Sequence, residues 1–214
     1  TLFKQSVFRN NNICKMQIVP SNSHIKTTLP TIENYDYTKY TEYFTECQKN
    51  TFSALTSGRQ KNFFLTGSAG TGKSFVLRKY IRWLCDVMKV KREHLAIVTP
   101  TGIAAVNVGG ETMHSRFKIN PYFNYADIPL EKAASYSQER RQTRMIIIDE
   151  ISMVSKRLFT HLHMVCGGFS NRNQPFGGLP IMVIGDFLQL PPVIKSKKNI
   201  DVPNTFLYKS IFLC

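Results

Sequence analysis

The sequence has 214 residues, 43% of them hydrophobic, and sets 28 Lys and Arg against 14 Asp and Glu for a formal net charge of +14. That length supports one domain with a sizeable core. The charge points to a polyanionic partner, because neutralised phosphates release counterions, though it does not separate DNA from RNA; the alternative is a basic surface tuned for solubility.

Residues 1–36 are rich in Asn, Ser and Thr, contain Pro20 and Pro30, and carry no period; they read as a tail or an arm laid on the domain. The pattern turns helical from Thr41 to Leu55, with Gly58 as a stop. NFFLT (Asn62 to Thr66) is a short apolar run ending in glycine, the signature of a buried strand. From Lys73 to Met88 the apolar residues Val76, Leu77, Tyr80, Ile81, Leu84, Val87 and Met88 fall at helical spacing. LAIVT (Leu95 to Thr99) is a second buried strand and Gly102 to Val108 a short helix. Residues 118–144 are polar and aromatic-rich, hold Pro121 and Pro129, and read as an insertion. MIIID (Met145 to Asp149) is a third strand, followed by a helix with Val154, Leu158, Leu162 and Val165 on one face. A Gly, Asn and Pro-rich loop then leads to IMVIG (Ile181 to Gly185), a fourth strand. Strands alternating with helices predict an α/β fold, with a mostly parallel sheet and helices on both faces.

Two motifs carry chemistry. GSAGTGKS, comprising Gly67, Ser68, Ala69, Gly70, Thr71, Gly72, Lys73 and Ser74, matches the P-loop pattern in full and lies between a buried strand and an amphipathic helix. Its glycines let backbone amides wrap phosphate oxygens, Lys73 reaches the terminal phosphates of ATP, and the Ser74 hydroxyl joins a Mg2+ shell. Asp149 ends a buried strand, where a carboxylate is costly unless something such as Mg2+ compensates it. Glu150 beside it can orient and deprotonate the attacking water. The chain therefore reads as a P-loop NTPase domain.

GSAGTGKS, VTPTGIAAVNVGGETMHS, IIIDEISMV and GDFLQLPPV together resemble the Pif-type helicases, relatives of RecD in superfamily one, type B, over about Gln48 to Val193. The resemblance implies a RecA-like first motor domain over residues 37–214, with a wedge-like insertion at about 118–144 and a second RecA-like domain absent from this stretch. It implies an ATP-dependent 5′-to-3′ DNA helicase as the intact protein. The 214 residues alone are expected to bind Mg·ATP and single-stranded DNA, as a monomer, and to unwind nothing, since family members draw transition-state arginines from the second domain. Gln48 matches the glutamine that reads adenine, and Gln189 the one that senses the γ-phosphate, with Asp186 supporting the same loop. Thr99, Pro100, Thr101 and Gly102, then Thr112, Met113 and His114, match strand contacts, and Phe187 is placed either against a base or in the core. In the insertion, Arg140, Arg141 and Arg144 are expected on DNA phosphates near a fork, among aromatics that equally suit a small core.

Two alternatives stay open on residues alone: a nucleic-acid-binding P-loop module without helicase activity, and a P-loop kinase, which has no use for GDFLQLPP. An intracellular setting is expected, whether nucleus, mitochondrion or viral replication site. The five scattered cysteines fit reduced thiols, no apolar run reaches the roughly 18 residues of a membrane span, and the opening TLFKQSVFRNNN lacks the apolar core of a secretory signal. The missing initiator Met is expected of an excerpt from a longer chain.

Overall fold

The apolar runs form the strands they predict. The computed structural model describes residues 17–20, 36–58, 62–119, 141–171, 173–186 and 188–190. Its strands are β1 (Gln17–Pro20), β2 (Phe63–Thr66), β3 (Leu95–Thr99), β4 (Glu111–Thr112), β5 (Met145–Ile148) and β6 (Ile181–Gly185). Its helices are α1 (Thr38–Thr41), α2 (Glu46–Thr56), α3 (Lys73–Asp86), α4 (Gly102–Val108), α5 (Met113–Phe117) and α6 (Lys156–Phe169). They build one sheet in the order β1-β2-β6-β5-β3-β4. Every neighbouring pair is parallel except β1, which runs antiparallel along β2. Among the described residues no helix is long and apolar enough to cross a membrane.

Alternation along the central strands sends side chains to two cores, one on each face. Phe63, Leu65, Leu95, Ile97, Met145, Ile147, Met182 and Ile184 pack with α1, α2 and α3. Phe64, Ala96, Val98, Ile146, Ile148 and Val183 pack with α5 and α6. With both faces covered, a strand reads as a continuous apolar run, and a one-residue slip would exchange the cores. Parallel pairing also brings the carboxyl ends of β2 to β6 to one edge, where the loops of an open α/β sheet bind ligands.

Three expectations change. The helix predicted over Thr41–Leu55 starts later, at Glu46, because Thr45 takes an extended backbone and caps α2; Thr41 is the last residue of the separate α1. The Thr45 hydroxyl accepts the Gln48 amide at 3.4 Å, while Gln48 Oε1 accepts the Thr45 amide at 3.1 Å; this reciprocal pair fixes the start of a helix. The helix predicted to Met88 ends at Asp86. β1 and β4, at 4 and 2 residues, are too short to show a period, and β1 lies within the segment read as a tail or arm.

Gly109 and Gly110 join α4 to β4 for separate reasons. Gly109 is the left-handed C-cap of α4, φ 62°. At Gly110 a Cβ would overlap the Ile97 carbonyl oxygen and lie 2.9 Å from Ile97 Cγ2. Gly110→Ala should therefore lower unfolding free energy by about 1–3 kcal/mol in a urea titration. An unchanged midpoint would show that β3 and β4 can separate to admit the methyl group.

Candidate functional site

The P-loop leaves β2 and enters α3 through two left-handed glycines, Gly70 at φ 76° and Gly72 at φ 85°. At Gly70 a Cβ would meet open space, so its requirement is conformational; at Gly72 it would come within 2.5 Å of Gln48 Nε2. The first turn of α3 contains no acidic side chain, which leaves its positive end to act on an anion. Lys73 Nζ folds over the loop and donates to the carbonyls of Gly67 at 2.6 Å and Ser68 at 3.0 Å. Ser68 O also accepts from the Thr71 amide and hydroxyl. A phosphate entering here competes with two backbone carbonyls for the Lys73 ammonium.

Gln48 joins a second element to the loop. Its Oε1 caps α2, as described, and its Nε2 donates to the Thr71 carbonyl at 2.9 Å. The side chain is buried, so both ends of the amide are satisfied within the protein. These bonds use one of the two N–H donors and one of the two oxygen lone pairs of the amide, so an adenine contact by Gln48 need not break either. Its T-x-x-Q spacing from Thr45 was the readable signal for the capping role.

Asp149 lies at the carboxyl end of β5, only 4% exposed. Its Oδ2 accepts from Ser74 Oγ at 3.3 Å, and its Oδ1 from the Glu150 amide at 3.0 Å. Burial, the largest effect, holds the Asp149 carboxyl above the usual carboxylate range; the Glu150 charge adds to it, while the two hydrogen bonds and the Lys73 charge oppose it. Glu150 itself is left-handed, φ 58° and ψ 46°. That conformation costs a non-glycine residue roughly 1–2 kcal/mol, and it directs the chain after Glu150 into the Ile151–Met153 turn. Gly185 at the end of β6 makes room for this turn, since a Cβ there would lie 3.0 Å from both Ile151 N and Ile151 Cγ2.

The loop after β6 folds on Asp186, whose Oδ1 accepts the Leu188 amide and whose carbonyl accepts the Gln189 amide, both at 3.0 Å. Gln189 is half-buried at the same edge, with Leu188 and Leu190 exposed beside it. Phe187 and Arg140 lie outside the described residues.

The expected strand contacts divide. Thr101 caps α4 and Thr112 caps α5 at the carboxyl ends of β3 and β4, with Pro100, Gly102 and His114 accessible beside them. Thr99 is fully buried with its hydroxyl donating to Thr101 O at 2.7 Å, and Met113 is a fully buried core side chain. Neither presents its side chain to a bound strand, so a contact at these two positions would come from the backbone. Arg144 sits at the opposite edge: it precedes β5, and its amide donates to His94 O, just before β3, at 2.8 Å. Four strand residues, about 13 Å, separate it from the nucleotide loops. Arg141 and Arg144 are exposed, and Arg144 does not join the residues gathered at the carboxyl edge.

Because the folded state holds the Asp149 proton more tightly than the unfolded chain does, stability falls as pH rises from the ordinary carboxylate range through the raised value, then levels. Asp149→Asn should therefore stabilise the ligand-free protein at neutral pH, and the gain should shrink below about pH 4. Urea midpoints at the two pH values decide this; an Asn variant weaker than the parent at neutral pH would mean the charged carboxyl is already well compensated.

Comparison with known proteins agrees with this geometry. A family model described as PIF1-like helicase matches residues 43–212. The chain is 39% identical over 151 residues to the ATP-dependent DNA helicase PIF1 of Emericella nidulans, covering 68% of this chain and 20% of that protein. It is 39% identical over 144 residues to the ATP-dependent DNA helicase RRM3 of Saccharomyces cerevisiae, covering 66% and 20%. It thus spans about a fifth of the length of these curated relatives. Among solved structures, Pif1 helicase from Candida albicans superposes with a TM-score of 0.59 at 35% identity, covering 77% of this chain and 36% of that one. Pif1 helicase from Bacteroides in complex with ADP-AlF3 and ssDNA superposes with a TM-score of 0.53 at 27% identity, covering 77% and 38%. The full P-loop, the Asp149–Glu150 pair at the end of β5 and the matched span agree on one conclusion: the chain belongs to the PIF1-like helicase family and carries its RecA-like, nucleotide-binding fold.

Proposed function

We propose that this chain is the first motor domain of an ATP-dependent 5′-to-3′ DNA helicase, which binds Mg·ATP at the P-loop and single-stranded DNA across the carboxyl edge of the sheet. The observation that carries the reading is the 3.3 Å contact between Ser74 Oγ and Asp149 Oδ2, which joins residues from the two ends of the nucleotide motif. A hydroxyl and a carboxylate so placed are hard oxygen donors of the kind Mg2+ takes, alongside phosphate and water. Among the described residues no three His, Cys, Asp or Glu side chains cluster as they would for a metal held by protein alone. When bound, Mg2+ would neutralise phosphate charge and remove the penalty of burying ionised Asp149.

The chain's own groups take the remaining roles. The amides of Gly67 to Ser74 hold phosphate oxygens, and Lys73 exchanges the Gly67 and Ser68 carbonyls for the terminal phosphates. Glu150 orients the attacking water and accepts its proton. Gln189, on the Asp186 loop, meets the γ-phosphate side of the site. Pro100, Thr101, Gly102, Thr112 and His114 hold a phosphate backbone through amides, hydroxyls and one imidazole, which positions a strand without reading its sequence. A second RecA-like domain of the same protein and the duplex at a fork are the further partners. DNA as substrate implies an intracellular setting: nucleus, mitochondrion or viral replication site.

A fluorescent ATP analogue titrated with Mg2+ tests the nucleotide site. Lys73→Ala should weaken binding about 10–100-fold, the worth of a hydrogen bond to a charged group. Glu150→Gln should bind like the parent and slow any measured hydrolysis by about 10²–10⁴. Equal affinity for parent and Lys73→Ala would leave a phosphate-binding fold without a working site.

A further inference from the structure

The outer helices on the α5–α6 face gather positive charge that the nucleotide chemistry does not use. From Ile151 to Gly185 the sequence holds no Asp or Glu, and none occurs from Thr112 to Ala126. On α6, Ser155 caps the helix by accepting the Leu158 amide at 3.1 Å, and the first turn then carries Lys156 and Arg157 with no acidic residue. Cations there oppose the helix dipole, where Asp and Glu are the stabilising choice. Arg157 and His161, four residues apart, share one side of α6. α5 packs against α6 and brings His114 from its first turn. His114 and His161 are half-buried and Arg157 is exposed. Since α6 follows β5 and α5 follows β4, both helices start at the carboxyl edge, beside Thr112.

We propose that Lys156, Arg157 and His161 of α6, with His114 of α5, form a phosphate-holding ridge that carries the single strand off the carboxyl edge and along the start of α6. This rests on the strand-binding reading above, and side-chain placement supports it: Thr112 at the end of β4 and His114 in the first turn of α5 are expected strand contacts, and the stretches 112–126 and 151–185 that carry the ridge contain no carboxylate. Burial first, then the nearby charges of Arg157 and His114, hold the His161 imidazole below its usual range. A phosphate laid on the ridge favours the protonated imidazole, so binding takes up protons and tightens as pH falls through the imidazole range.

The neighbouring groups leave this sign intact. Arg116 of α5 is held by Glu111 of β4 at 3.3 Å, and His163 Nδ1 accepts the Phe176 amide at 2.9 Å. Lys118, just past α5, adds positive charge. The turns Ile151–Met153 and Pro175–Gly178 packed nearby carry no charged residue, and the nearest carboxylates in sequence, Glu150 and Asp186, belong to the nucleotide edge.

The test is fluorescence anisotropy of a labelled oligothymidine with the 214-residue chain, at two salt concentrations and at about pH 6 and pH 8. Lys156→Ala/Arg157→Ala should bind about tenfold more weakly at low salt, with the slope of log affinity against log salt reduced by about 1–2. His161→Gln should keep the affinity at the higher pH and lose most of the tightening at the lower. Arg157→Lys, which keeps the charge, should bind like the parent, as should Lys39→Ala/Arg82→Ala, which removes two cations that pair with Asp86 on the other face of the sheet. Thermal melting and ATP-analogue binding confirm that each variant is folded. If the parent binds oligothymidine and the double variant matches it in affinity and slope, or falls only as far as the control, the ridge is wrong while strand binding stands. A greater loss on duplex than on oligothymidine would overturn the assignment to the single strand. A parent that binds no oligothymidine at low salt would overturn strand binding itself, and the ridge with it.

Discussion

A carboxylate at the end of a strand buried on both faces must be compensated, and the site around Asp149 is arranged to do this. The Glu150 amide donates to one oxygen. The Ser74 hydroxyl reaches the other from the first turn of α3, bringing the P-loop up to β5. Gly185 lets the end of β6 approach the turn that follows Glu150. These arrangements still leave the Asp149 carboxyl above its ordinary range because burial outweighs them. What remains uncompensated is the driving force for taking a cation, so a local stability cost and a binding function have the same origin.

The parallel sheet then decides which residues can work together. Each crossover returns the chain to the amino edge, so the nucleotide loop, the paired acids, the Asp186 loop and the α4 and α5 caps all open onto the carboxyl edge. Residues close in sequence to a functional segment are not thereby close to the site. Arg144 is one residue before β5 and Asp149 one residue after it, yet a full strand length separates them. Gln48 shows the converse: distant in sequence, it ties the start of α2 to the Thr71 carbonyl and occupies the space a side chain at residue 72 would need.

Much of this was legible in the sequence because burial on two faces leaves unbroken apolar runs, which marked β2, β3, β5 and β6. The chemistry was legible where spacing is imposed by phosphate geometry, as from Gly67 to Ser74. Short elements escaped: β4 is held by its partner strand and by Gly110, neither of which imposes a period. The later start of α2 was hidden because Phe44, in the turn before Thr45, is a core residue like Phe52 of α2 and continues the apolar pattern. Motif matching gave the positions of Thr99 and Met113 but not the direction of their side chains, which packing sets. The cationic start of α6 matches no motif, and only the packing of α5 on α6 brings His114 to it.

The central claim is that one edge of one domain holds both nucleotide and strand, linked by the Asp186–Gln189 loop. The most direct test is the affinity of oligothymidine with and without a non-hydrolysable Mg·ATP analogue, for the parent and for Gln189→Ala. The account predicts a nucleotide-dependent shift of about 5–150-fold in the parent, the range of ordinary coupling energies, and little or none in the variant. Strand affinity indifferent to nucleotide in the parent would contradict it, and would place the coupling outside this domain.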